Sequence, residues 1–187
     1  HCREAVEVIK PILAGETVKY EGKTVKVKNY RLHTKIMKLP VYVGAAGPRM
    51  LGLAGELGDG VIISGGAYPP AIRGNLQHVR AGAKKAGRDF KELDVVCWTN
   101  TVIAEDPEPL KDMLRPATAS IIAMTADRIE TAYGNLNALK EMYDVEPELA
   151  HRIKERIAEI RRTWDPVHAP SAGAQDLEDL VPDSLLM

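Results

Sequence analysis

The sequence predicts an α/β fold with a parallel sheet, and three observations predict it. Apolar runs at Val41–Val43, Val61–Ile63 and Leu93–Ala104 read as buried-type strands. Stretches with helical periodicity lie between them, so each strand returns to the next through a helix. No matching content recurs at a spacing of roughly 20 to 50 residues, which excludes a solenoid. An open parallel sheet and a closed barrel both satisfy this alternation.

The elements follow in order. Arg3–Ala14 carries Ala5, Val6, Ile9, Ile12 and Leu13 on one helical face, with Gly15 as a stop. Pro11 predicts a kink, because it lacks an N–H and its ring crowds the preceding turn. Thr17–Lys28 alternates Val18, Tyr20, Val25 and Val27 with polar residues around Glu21-Gly22-Lys23, a β-hairpin outside the parallel sheet. Asn29–Leu39 is a polar, basic loop, and its His33 is expected at the surface rather than as a ligand.

Val41–Gly66 reads VYVGAAGPRMLGLAGELGDGVIISGG. After the strand Val41–Val43, Gly44–Gly47 is a loop nearly bare of side chains. Pro48 stands where a helix should begin, because its fixed φ suits the first helical residue and its missing N–H would have had no partner there. Met50, Leu51, Ala54 and Leu57 continue the helix, Gly58 closes it, and Val61–Ile63 is the next strand. A bare loop feeding a helix N-terminus attracts an anion, most often a phosphate. The competing reading is a tight βα turn whose small residues only let helix and sheet approach. At Gly47 a positive φ is a further expectation.

Gly65–Pro70 is a loop, and Ala71–Ala86 is a helix facing inward with Ile72, Leu76, Val79 and Ala83. Lys84, Lys85 and Arg88 crowd its end, where cations complement the helix dipole. In the long third strand, Leu93–Ala104, Cys97 is expected as a buried thiol. Asp106-Pro107 starts a helix that Pro116 is expected to interrupt, with Leu110, Met113 and Leu114 facing inward. Ser120–Met124 is a short apolar piece, and helices at Asp127–Tyr133 and Asn135–Tyr143 are divided by Gly134. Glu146–Trp164 has the clearest stripe, through Leu149, Ile153, Ile157, Ile160 and Trp164. Met124, Met142 and Trp164 are expected in the core. Asp165–Ala174 is a loop, and Gln175–Leu180 and Asp183–Met187 are short helical pieces.

Composition narrows the function. The 187 residues are 45% hydrophobic and 27% charged, ordinary for a soluble globular domain, and the chain is expected to form a single domain. A net charge of −1 excludes a general nucleic-acid or polyanionic-membrane surface. No apolar run approaches the roughly 20 residues that span a bilayer, and no signal peptide opens the chain. Cys2 and Cys97 form no CxxC and supply no metal set, which suggests a reducing, cytoplasmic location. The chain opens at His1 inside a helical pattern and stops just after Pro182-Asp183-Ser184, so both ends are expected to be cuts through a longer protein.

Motifs exclude further chemistry. A G-x-x-G after a strand is a weak Rossmann signal, and the second strand ends Ile63-Ser64-Gly65-Gly66 without the acidic residue that fold uses for the ribose. Asp59 lies at the other end of that strand. No Walker A loop, H-E-x-x-H or G-x-S-x-G is present, and Ser64 suits a hydrogen bond to a ligand better than nucleophilic catalysis.

The segment LPVYVGAAGPRMLGLAGELGDGVIISGG resembles the fifth strand, helix and sixth strand of the luciferase-like flavin and deazaflavin oxidoreductases. REAVEVIKPILAGETVKYEGKTVKV is similar to the same family in its helix ending L-x-G-E and its V-x-Y-x-G hairpin. ATASIIAM and LVPDSLLM resemble segments of F420-dependent methylenetetrahydromethanopterin reductases. The likeness is close over residues 3–66 and looser from about residue 105 onward.

The resemblance implies a partial (β/α)8 TIM barrel, truncated at both ends, with residues 40–44, 60–64 and 94–103 as strands five to seven. It implies coenzyme F420, or alternatively FMN, with the phosphate region held by the Ala46-Gly47 backbone, Arg49 and Met50, and with Ser64 near the ligand. A sugar-phosphate-using relative has Thr at the Ser64 position and a lysine where Ala67-Tyr68 stands here, which argues against a glucose-6-phosphate dehydrogenase. The family's acid–base residues come from the first four strands, so no catalytic residue is assigned in this chain. The expected activity is hydride transfer between reduced deazaflavin and a small or folate-like substrate, with a homo-oligomer for the full-length protein. An FMN-dependent monooxygenase and a non-catalytic phosphate-binding α/β module are the alternatives.

Overall fold

The three apolar runs form one three-stranded parallel sheet in the computed structural model. The structure describes residues 1–34, 39–64, 68–99, 101, 103–106, 108–163 and 180–186. It divides into two compact units, one of His1–Ser64 with Ile72–Trp98 and one of Gly65–Ala71 with Thr99–Met187.

In the first unit, helix α1 (Cys2–Leu13) precedes the antiparallel hairpin β1 (Val18–Glu21) and β2 (Lys26–Tyr30), which is a sheet of its own. Then come β3 (Tyr42–Ala45), α2 (Pro48–Leu57), β4 (Gly60–Ser64), α3 (Pro69–Lys85) and β5 (Asp94–Trp98). The sheet order is β3-β4-β5, with Val43 opposite Val61 and Val61 opposite Val95. Val43, Ala45, Val61 and Ile63 pack with Val6, Leu51, Ala54, Val79 and Ala83, so the helices cover one face of the sheet.

Two closures hold this unit together. Glycines let α2 and α3 approach closely: a Cβ on Gly55 would stand 2.0 Å from the Val79 carbonyl oxygen, and one on Gly82 1.9 Å from that of Gly52. The Glu4 carboxylate accepts from the Lys23, Thr24 and Val25 N–H groups and the Thr24 hydroxyl, tying the hairpin turn to α1. Those donors, Thr24 N–H foremost, lower its pKa to about 2.

The second unit is helical. A 3-10 turn (Glu108–Leu110) leads into α4 (Lys111–Tyr133), followed by α5 (Asn137–Tyr143) and α6 (Pro147–Thr163). Ala119, Ile122, Ala126, Leu139, Ala150, Ile153 and Val181 form its core. Arg115 donates to the Val181 carbonyl and to Asp183, and Lys111 reaches Asp183 at 3.3 Å, so the segment 181–186 lies against α4.

Several expectations are corrected. Pro116 does not interrupt: α4 runs through it, because Pro costs one N–H bond near the helix start while the buried Ala119–Ile129 face holds the turns beyond. In α1, which contains Pro11, the expected apolar face is corrected at Ile9, which faces solvent, while Val8 is buried. Met124 and Met113 are exposed, since each lies off the buried stripe of α4. Gly44 and Ala45 belong to β3 rather than to the following loop, and α3 begins at Pro69 rather than Ala71. The third strand is five residues long and exposed throughout, Cys97 included. One edge of β5 has no strand beside it among the described residues, and no residue of the first unit's core cluster comes from it. No disulfide joins the two cysteines. Trp164, the loop Asp165–Ala174, most of Gln175–Leu180, and Asn100 and Val102 of the third strand lie outside the described residues.

Candidate functional site

The site grows from the start of α2. Gly47 is its N-cap and Pro48 its first residue, and the first intrahelical bond runs from the Leu51 N–H to the Gly47 carbonyl at 2.9 Å. No side chain caps this end. The first-turn N–H groups of Arg49 and Met50 therefore have no intrahelical acceptor, and Pro48 has none to offer. Gly47 has φ −111° and ψ 158°, so the expected positive φ is corrected: the residue is extended, a conformation open to any side chain.

The opposite end of α2 is closed by cations from other elements. Arg88 Nη1 donates to the Gly55 carbonyl at 3.0 Å, and Lys10 Nζ donates to the Leu57 carbonyl at 3.0 Å. Lys10 also meets Asp59 Oδ1 at 2.6 Å, while Asp59 Oδ2 accepts from the Val41 N–H at 2.8 Å. Asp59 thus has a structural task at the amino end of β4. The negative pole of the helix is neutralised, and its positive pole has no side-chain cap among the described residues.

The sheet register sets what lies beside that pole. Ala45 pairs with Ile63 at the carboxyl end of the register, so Ala46 and Ser64 each follow directly on that last pair. Ser64 pairs with Trp98 on its other side. Tyr42, Gly44, Ile62, Ser64, Val96 and Trp98 share the sheet face away from the helices, by alternation and register. Trp98 is 67% exposed there. Sequence reasoning missed this residue; an aromatic at the carboxyl end of a β-branched run, level with Ser64, was the available signal.

At the amino end the same face is braced. The Tyr42 hydroxyl donates to Asp94, with its ring crossing Gly60, where a Cβ would come within 2.4 Å of the ring. The carboxylate raises the Tyr42 pKa. At the carboxyl end a Cβ added to Gly44 or Gly47 meets no atom within 4 Å among the described residues.

Of the five residues expected from the sequence, Ala46, Gly47 and Ser64 come to one edge of the sheet. Arg49 and Met50 contribute N–H groups at that edge, and both residues also line an outer groove of about 560 Å³ with Arg3, Glu56, His78 and Gly82. Arg49 is exposed. In that groove Glu56 receives both Arg3 guanidinium nitrogens at 2.7 Å, which lowers its pKa to about 2. Among the described residues no cluster of side chains has the composition of a metal site.

A family model described as luciferase-like monooxygenase matches residues 1–186. The chain belongs to this family. A 5,10-methylenetetrahydromethanopterin reductase of Methanolobus tindarius is 36% identical over 132 residues, 71% of this chain and 40% of that protein. One from Archaeoglobus fulgidus is 34% identical over 143 residues, 74% of this chain and 43% of that protein. The solved coenzyme F420-dependent tetrahydromethanopterin reductase of Methanopyrus kandleri has a TM-score of 0.71 to this luciferase-like chain at 28% identity, covering 99% of it and 48% of that structure. The chain thus spans less than half the length of these relatives. No described helix is long and apolar enough to cross a membrane.

Proposed function

We propose that the full-length protein containing this chain is an F420-dependent oxidoreductase that moves a hydride between reduced deazaflavin and a small or folate-like substrate, such as methylenetetrahydromethanopterin. One observation carries the reading: the uncapped start of α2 lies at the carboxyl end of β3, whose neighbour β4 ends at Ser64, in a chain whose relatives are named F420-dependent or methanopterin reductases. Barrel enzymes of this kind work at the carboxyl face of their strands.

The residues suit the coenzyme. The Gly47, Arg49 and Met50 N–H groups would hold its phosphate, Pro48 presets the turn, and Ser64 would donate a hydrogen bond. Among the described residues no atom stands within 4 Å of a Cβ at Gly44 or Gly47, which supports approach of a ligand to the backbone there. Trp98 offers an aromatic wall beside Ser64. When bound, the deazaflavin supplies the hydride chemistry, and the protein supplies orientation.

In this reading β3, β4 and β5 are strands five to seven of an incomplete (β/α)8 barrel, and residues 1–187 belong to one barrel domain of a homo-oligomeric, cytoplasmic protein. The parallel order β3-β4-β5 and the family match across residues 1–186 support it. Titration of the full-length protein with F420 and with FMN tests the reading, followed by calorimetry. Saturable F420 binding with no FMN binding is expected. The reverse result assigns an FMN-dependent monooxygenase, and binding of neither leaves a non-catalytic α/β module.

A further inference from the structure

The second unit contains a cavity of about 420 Å³, within the range of pockets that hold a small molecule. Its wall is built from one face of α4, where Leu114, Ala117, Thr118, Ile121, Ile122 and Thr125 recur at helical spacing. Leu139 and Val145 close it from the side of α5, and Leu185 and Leu186 from the segment that Arg115 and Lys111 hold in place through Asp183. The lining is mostly apolar, and no described lining residue is Lys, Arg or His.

Thr125 gives the cavity a polar point. The residue is 6% exposed and borders the cavity, yet its hydroxyl has no hydrogen-bond partner among the described residues. No described side-chain oxygen or nitrogen that is fully sealed from solvent lacks a partner, so the Thr125 hydroxyl is not sealed off in a residue that borders the cavity. The charged lining residue, Asp144, is compensated by Lys140 Nζ at 2.6 Å. A mostly apolar wall with scattered hydroxyls, Thr125 the most buried of them beside Tyr68, Thr99, Thr118, Tyr143 and Ser184, and no cation among its described lining residues select against phosphorylated or sulfonated molecules and for uncharged ring systems.

We propose that this cavity is a binding pocket for a neutral, flat, largely apolar heterocycle, with a ring nitrogen or carbonyl accepting from the Thr125 hydroxyl. The assignment does not depend on the coenzyme reading, because binding is measured without coenzyme.

The test uses full-length protein with isotope-labelled methyl groups and quinoxaline, naphthalene and naphthalene-2-sulfonate as probes. Quinoxaline is expected to bind saturably and to shift the Ile121, Ile122 and Leu139 methyl resonances. Ala117→Phe, which fills the cavity, should weaken it at least tenfold. Thr125→Val keeps the shape and removes the hydroxyl, so it should weaken quinoxaline about fivefold and leave naphthalene unchanged. The sulfonate should give no saturable shift at these methyls. No saturable quinoxaline shift at these methyls in the parent, equal quinoxaline affinity in Thr125→Val, or sulfonate binding as tight as quinoxaline each overturns the proposal. The methyl shifts in the parent decide the site even if Ala117→Phe does not fold.

Discussion

Gly47→Val separates a phosphate-binding loop from a packing turn, because the structure removes the folding objection. Gly47 is extended, at φ −111° and ψ 158°, a conformation that β-branched residues favour. A Cβ there meets nothing within 4 Å among the described residues. The folding cost is confined to a poorer N-cap, roughly 0.5–1 kcal/mol, so the variant should fold. The branched side chain then occupies the space through which a phosphate must reach the Arg49 and Met50 N–H groups. Losing one charge-assisted hydrogen bond costs roughly 1.5–3 kcal/mol, or roughly 10- to 150-fold in affinity. Arg49→Ala should cost less, roughly fivefold at most, since an exposed guanidinium is screened by salt. Ser64→Ala removes one neutral hydrogen bond, worth roughly two- to tenfold. The assay is coenzyme titration of the full-length variants, each checked by circular dichroism. If folded Gly47→Val binds F420 or FMN as tightly as the parent does, the loop is a packing turn and the coenzyme site lies elsewhere.

Three further outcomes follow from the packing and charges. Gly55→Ala must push α2 and α3 apart by about 1 Å, because its Cβ would start 2.0 Å from a backbone oxygen; it should cost roughly 1–3 kcal/mol or more in urea unfolding, and Gly82→Ala should behave alike. Arg88→Met removes the cation from the Gly55 carbonyl and should cost roughly 1 kcal/mol by the same measurement, with coenzyme affinity unchanged. Glu4 and Glu56 both have folded pKa values of about 2, below the unfolded carboxylate value, so their stabilisation is complete above about pH 4.3 and is lost as pH falls toward 2. The urea midpoint should therefore drop through that window, and Glu56→Gln should flatten the drop.

Local signals made much of the first unit legible. Pro48 started α2, Gly87 and Gly134 took positive φ just past the helices they follow, and the hairpin stayed outside the parallel sheet. The loop Gly44–Gly47 was placed correctly as the approach to a helix start, although β3 continued through Ala45. Chemistry between distant residues was not legible. Nothing in the spacing marks Lys10 and Arg88 as caps of α2, because each reaches across 47 and 33 residues to a backbone oxygen. Trp98 and the cavity along α4 escaped for the same reason: their neighbours come from elsewhere in the chain.

By itself, the sequence determined the helix and strand segments of the first unit to within a few residues, the parallel α/β class and the turn before Pro48, since these depend on backbone preference and on the period of apolar residues. Tertiary structure alone decided which apolar residues are buried and which helix poles are neutralised. Val95, Val96 and Trp98 pattern as core, yet they stand exposed, because burial depends on what packs against a strand and not on its own residues. Pro116 patterns as a break, yet α4 passes through it, because the energy of the buried Ala119–Ile129 face exceeds the cost of one lost N–H bond.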